Sequence, residues 1–186
     1  MKIITKKSIE RHPVPILGID YKVKIVYSNI KYPQLDVDEK LIKISLPNKH
    51  KKSNNEKILD LAINKMYNEI ARVEIERAME KYRMLFGFAP ENYEIRKINN
   101  DFGRCSNGKI IIDPEVVKYD REFIDYVVLH QYCHLKYKIH CKSFWDMVEL
   151  YEPKYEYYEK MCKHFLFSIV HFLNLLYNSY IDAGLI

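Results

Sequence analysis

Asp125-Tyr126-Val127-Val128-Leu129-His130-Gln131-Tyr132-Cys133-His134-Leu135-Lys136 is the stretch on which both fold and chemistry turn. It contains no Pro or Gly, and Phe123, Val127, Val128, His130 and His134 fall on successive turns, so it reads as a core-facing helix. Asp120 is placed to cap that helix, and Glu122 complements its positive N-terminal end. His130 and His134, four residues apart, then project from one face about a turn apart and can bind one ion together. Alone, such a pair is more often a packed or surface pair. His140, six residues beyond His134, changes the reading, because a helix ending near residues 136–138 lets the chain turn back with a third imidazole. Three histidines leave a tetrahedral position for water, the pattern of a catalytic rather than a structural zinc site. Three imidazoles also suit zinc among divalent ions.

Upstream, residues 56–86 carry no Pro or Gly, and Ile58, Leu61, Ile63, Met66, Ile70, Val73, Ile75 and Met79 recur at roughly helical spacing. This predicts a long core-facing helix, ended by Gly87 and kept from resuming by Pro90. Before it, residues 21–27 and 41–46 alternate as strands. After it, residues 93–98 and 109–112 read as two short strands around a turn containing Asn107-Gly108. Downstream, helical segments are expected over residues 142–150 and from Pro153 onward. The class is α+β: a small antiparallel sheet of about four strands, a long helix, a histidine-bearing helix and a helical C-terminal half.

The chain has 186 residues, 48% of them hydrophobic, enough for one real core and too few for two comfortable domains. Residues 1–163 are expected to form that domain, and 164–186 an apolar, helical tail. The run Phe165 to Tyr177 is shorter than the roughly 20 residues that span a bilayer, so it is expected to pack on the core or in a homo-oligomer interface rather than cross a membrane. A net charge of +5 is too small and dispersed to demand nucleic acid. The basic loop Lys49 to Lys52 permits DNA without arguing for it. Cys105, Cys133, Cys141 and Cys162 form no C-x-x-C pair, and no secretory leader pattern opens the chain; reduced thiols in the cytoplasm are the expectation.

The segment from Asp125 to Lys136, followed by His140 and by Phe144-Trp145, resembles the active-site region of the YgjP-type zinc metallopeptidases, relatives of the SprT-like proteases. The upstream block Phe102-Gly103-Arg104-Cys105-Ser106, then Gly108 and Ile110, is similar to that family's R-W-G-S-C-S block. Order and spacing agree over roughly residues 16–163. The resemblance implies a zincin-type fold with one zinc on His130, His134 and His140, hydrolysing peptide bonds of a peptide or protein substrate.

Two departures qualify it. Asp101-Phe102-Gly103-Arg104 stands where the family has Arg-Trp-Gly-Ser, and Gln131 stands where it has Glu. In zincins that glutamate takes a proton from the attacking water and passes it to the leaving amine. An amide can hydrogen-bond the water but has no useful basicity, so turnover is expected to be weak or absent while zinc binding survives. Gln131 is either a substitution that silences a protease or the natural state of a pseudoenzyme, a zinc-stabilised binding module that could take DNA. Rescue by Asp146 or Glu149 would require reach to the water.

Other residues have plainer expected roles. Cys133 is expected to be packed, Phe144 and Trp145 to wedge the returning chain against the core, and Cys105 and Ser106 to lie near the hairpin turn. Asp125 is a candidate acceptor behind one of the imidazoles, or else a solvated carboxylate near the helix start.

Overall fold

A computed structural model describes residues 13–52 and 54–163. Strands β1 (Val14–Ile16), β2 (Ile19–Ser28), β3 (Gln34–Asp38) and β4 (Leu41–Pro47) form a sheet in the order β1-β2-β4-β3. Helix α1 (Glu56–Phe86) leads to a second sheet of β5 (Asn92–Ile95), β6 (Gly103–Ser106) and β7 (Lys109–Ile112), in the order β5-β7-β6. Helices α2 (Arg121–Lys136) and α3 (Lys142–Tyr151) follow, and residues 155–163 are helical to the end of the described chain, here α4. The apolar run 165–177 lies outside the described residues. Among the described residues no helix is long and apolar enough to cross a membrane.

The α+β class and helical C-terminal half are as expected, but the pairing differs from one antiparallel sheet. The strands divide between two sheets, and both β2 with β4 and β5 with β7 run parallel. The first parallel pair arises because β3 and β4 form a tight antiparallel hairpin, with Asp38 opposite Leu41 and two residues between. That hairpin then docks on β2 through β4. Ile42, Ile44 and Leu46 of β4 are fully buried, so the most apolar strand takes a central place and the aspartate-bearing β3 the edge.

Helix α1 has its expected bounds. It closes on Gly87, whose φ of 70° is left-handed and whose N–H reaches the Arg83 carbonyl at 3.0 Å. On its expected face Ile63, Met66, Ile75 and Met79 are buried and Ile58 and Ile70 pack against the core, but Leu61 and Val73 are 69% and 67% exposed, and Tyr67, Ala71, Ala78 and Tyr82 complete the buried stripe. Counting apolar residues missed part of the stripe because small Ala and amphipathic Tyr supply it. Glu74, also buried on this face, receives Arg121 Nη2 at 2.7 Å and Arg77 Nε at 3.0 Å, tying α1 to the first residue of α2.

Candidate metal centre

Helix α2 begins as its sequence requires: the Asp120 carboxylate accepts the Phe123 N–H at 2.8 Å. It ends at Lys136, and Tyr137 leaves it in an extended conformation. The chain then turns back as expected. His140 Nε2 comes to rest 3.0 Å from His130 Nε2 and 3.1 Å from His134 Nε2. Bonds of about 2.0–2.1 Å from one tetrahedral zinc would set such nitrogens roughly 3.3 Å apart, so a small outward movement accommodates an ion.

Proton counting favours a cation. His134 Nδ1 lies 3.0 Å from the Tyr137 carbonyl, which can only accept, so the ring proton sits on Nδ1 and Nε2 presents a bare lone pair. His140 Nε2 carries at most one proton and faces two other ring nitrogens. At least one close nitrogen pair therefore lacks a matched donor and acceptor, and a metal ion resolves that conflict. Burial, then the neighbouring His134 and His140, hold the His130 ring down to about 3, so it stays neutral. Burial also lowers His134. Neutral imidazoles are what metal ligation requires.

Beneath the three rings lies Phe144, fully buried, with its centroid 4.9 Å from His130, 4.6 Å from His134 and 4.7 Å from His140. Trp145 packs 5.2 Å from His140 and stacks on Tyr155 of α4 at 5.3 Å. These two aromatics hold the returning chain, as expected of them. Above the rings opens a cleft of about 500 Å³, bordered by β6, α2 and α4. Gln131 lines it and is 6% exposed. A Cβ at Gly103 of β6 would stand 2.9 Å from Gln131 Nε2 and 3.0 Å from its Cγ, so glycine is what lets the strand pass this close to the helix.

Asp125 is placed elsewhere. Its carboxylate accepts Arg77 Nη2 and Lys81 Nζ, each at 2.6 Å, fastening α2 to α1. Five residues before His130 is about 140° around the helix, away from the metal face; four residues before is about 40°. The latter position belongs to Tyr126, whose hydroxyl lies 3.2 Å from His130 Nδ1 and donates to Glu159 Oε1 in a short hydrogen bond. Sequence reasoning passed over both residues. Tyr126 carried a signal in its i−4 relation to His130; Glu159, distant along the chain, carried none.

Cys133 is fully buried, its thiol pushed up to about 12 by that burial. Cys105 and Ser106 lie on β6, and the turn after them, Asn107-Gly108, is the expected one. Cys105 faces the cleft with its thiol raised by burial. Asp146 and Glu149 are not among the residues that border the cleft.

These features make a candidate three-histidine metal centre, with two histidines from α2 and one from the loop after it, beside a short mixed sheet. The comparisons identify its class: the YgjP-like metallopeptidase domain matches residues 2–165, and the chain belongs to that family. A comparison with curated proteins gives no match. Among solved structures, the crystal structure of the metallopeptidase zymogen of Pyrococcus abyssi abylysin is similar, with 25% identity, 54% of this chain and 95% of that one covered, and a TM-score of 0.39.

Proposed function

We propose that the chain binds one zinc ion through His130, His134 and His140, and that with Gln131 in place it hydrolyses peptide bonds weakly or not at all. The observation that carries this reading is the convergence of three ring nitrogens within 3.1 Å steps, with too few protons between them. Bound there, zinc supplies Lewis acidity that polarises a carbonyl and makes water nucleophilic near neutral pH.

The chain's own residues account for the rest. The Tyr137 carbonyl fixes the His134 tautomer, Phe144 supplies an apolar floor, and β6 with α2 forms the walls that admit a peptide. Gln131 stands where a base would take and return a proton. Its amide offers two N–H donors and a carbonyl acceptor but holds no exchangeable charge, so it can orient water or a substrate carbonyl without moving a proton. The substrate class is a peptide or protein, by family.

Gln131 itself favours a second reading, a non-catalytic module that keeps its ion for folding or recognition. The version in which it binds DNA rests on the basic loop Lys49 to Lys52 and predicts salt-sensitive affinity indifferent to position 131. The test that comes first is metal content. Purified protein never exposed to chelator should carry about one zinc per chain, and His134→Ala should lose it; folded protein without metal would refute the centre.

A further inference from the structure

Tyr126 has one hydroxyl proton and two partners. Glu159 Oε1 receives that proton, and a carboxylate returns none. The hydroxyl oxygen is left to accept from His130 Nδ1, 3.2 Å away. His130 must then carry its proton on Nδ1 and present a bare Nε2 to the other histidines, the same tautomer the Tyr137 carbonyl imposes on His134. A second contact reinforces this: Glu159 Oε1 is itself 3.6 Å from His130 Nδ1.

The arrangement is built to hold. Tyr126 is 1% exposed, and Tyr158 of α4 stacks on it at 5.2 Å and 23°. With Tyr155 stacked on Trp145, helix α4 braces the site at both the His130 and the His140 sides. From this geometry we infer that Glu159, acting through the Tyr126 hydroxyl, is a positioning residue for the metal: it sets the tautomer and ring direction of His130 and strengthens that ligand's donation. The inference rests on the three-histidine reading above. It makes α4 a working part of the centre, although α4 contributes no ligand.

The rival is that Tyr126 and Glu159 merely anchor α4 to α2. Affinity separates the two. The full chain and its Tyr126→Phe, Glu159→Gln and Glu159→Leu variants would be titrated with zinc and with cobalt against a competing chelator, with melting of the metal-free proteins recorded alongside. Loss of a partner behind a ligating histidine weakens binding roughly 10- to 100-fold, and this is expected for Tyr126→Phe and Glu159→Leu. Glu159→Gln, whose carbonyl still accepts from the hydroxyl, should fall between these and the parent. The visible bands of the cobalt form should shift in the same order.

Lower melting temperatures with zinc and cobalt affinities within about twofold of the parent, a small effect beside the loss expected, would mean an anchor and overturn the inference. Should Glu159→Leu fail to fold, Tyr126→Phe and Glu159→Gln, which barely alter volume, decide the matter. If the parent chain binds neither ion, the metal centre and this inference fall together; if it binds and the variants match it, this inference alone falls.

Discussion

Gln131→Glu is the most informative single change, because the structure limits what else it can do. The two side chains are nearly identical in shape, so the tight approach of Gly103 to Gln131 is preserved and no repacking is needed. What changes is charge and basicity at a site 6% exposed, between His130 and His134 in sequence and open to the same cleft. In metal-free protein the new carboxylate is poorly solvated and should destabilise the fold or hold its proton. A divalent cation nearby reverses that preference. General-base catalysis contributes about 10²- to 10⁴-fold in rate, or about 3–5 kcal/mol of barrier. The assay is digestion of a broad peptide library by metal-loaded parent and variant, read by mass spectrometry with metal content measured in both. A gain of at least two orders of magnitude is expected. One metal per chain in each protein, with no gain in cleavage, would refute the assignment of position 131 and weigh heavily against a latent peptidase.

Two further outcomes concern the scaffold. Glu74 is held below its ordinary value, chiefly by its hydrogen bonds from Arg121, with burial opposing and Arg77 assisting. A carboxylate depressed in the folded state contributes stability that is complete above its ordinary value near 4.5 and lost as pH falls through the lower folded value. Glu74→Gln should therefore cost about 1–3 kcal/mol at neutral pH and flatten the acid side of the stability profile; denaturant melts from pH 7 downward with an unchanged acid limb would contradict this. Gly103→Ala drives a methyl into the Gln131 side chain and should cost roughly 1–3 kcal/mol. Gln131→Ala should relieve most of that cost in a double-mutant cycle, and strictly additive effects would mean that the two residues do not press on each other.

The clustering of the three histidines was legible because these residues obey local rules. His130 and His134 share a helix face by period alone, and the distance from Lys136 to His140 leaves room for a turn and little else. Helix α1 was equally plain in extent, since Gly87 and Pro90 punctuate it. Its buried face was legible only in part, because Ile63, Met66, Ile75 and Met79 are buried as their spacing suggests, whereas Leu61 and Val73 are apolar yet exposed and Tyr67 and Tyr82 go inside. Sheet pairing was illegible for a different reason. Alternation in β2 and β4 says which face is buried but not that β4 would reach β2 from the far side of a hairpin, making the pair parallel. The short β1, β3 and β6 carry too few apolar residues to register as strands until partners supply the ladder. Asp125, expected behind an imidazole or in solvent, instead pairs with Arg77 and Lys81 because helix period turns it away from His130. The contact of Glu159 with Tyr126 left no mark in the sequence because the two lie far apart along the chain.

The edge position of β3 has a bearing on behaviour in concentrated solution. A sheet edge offers unpaired amides and carbonyls to any passing chain, and proteins blunt it with short strands and charge. In the first sheet one edge is the three-residue β1, and the other is β3, where Asp36 and Asp38 alternate with Leu35 and Val37. A second copy approaching β3 edge to edge in antiparallel register would bring aspartate against aspartate. With β4 in the interior, the strand that buries Ile42, Ile44 and Leu46 is never the one on offer, and the four-stranded sheet is guarded against edge-to-edge association by the order in which its strands are laid down.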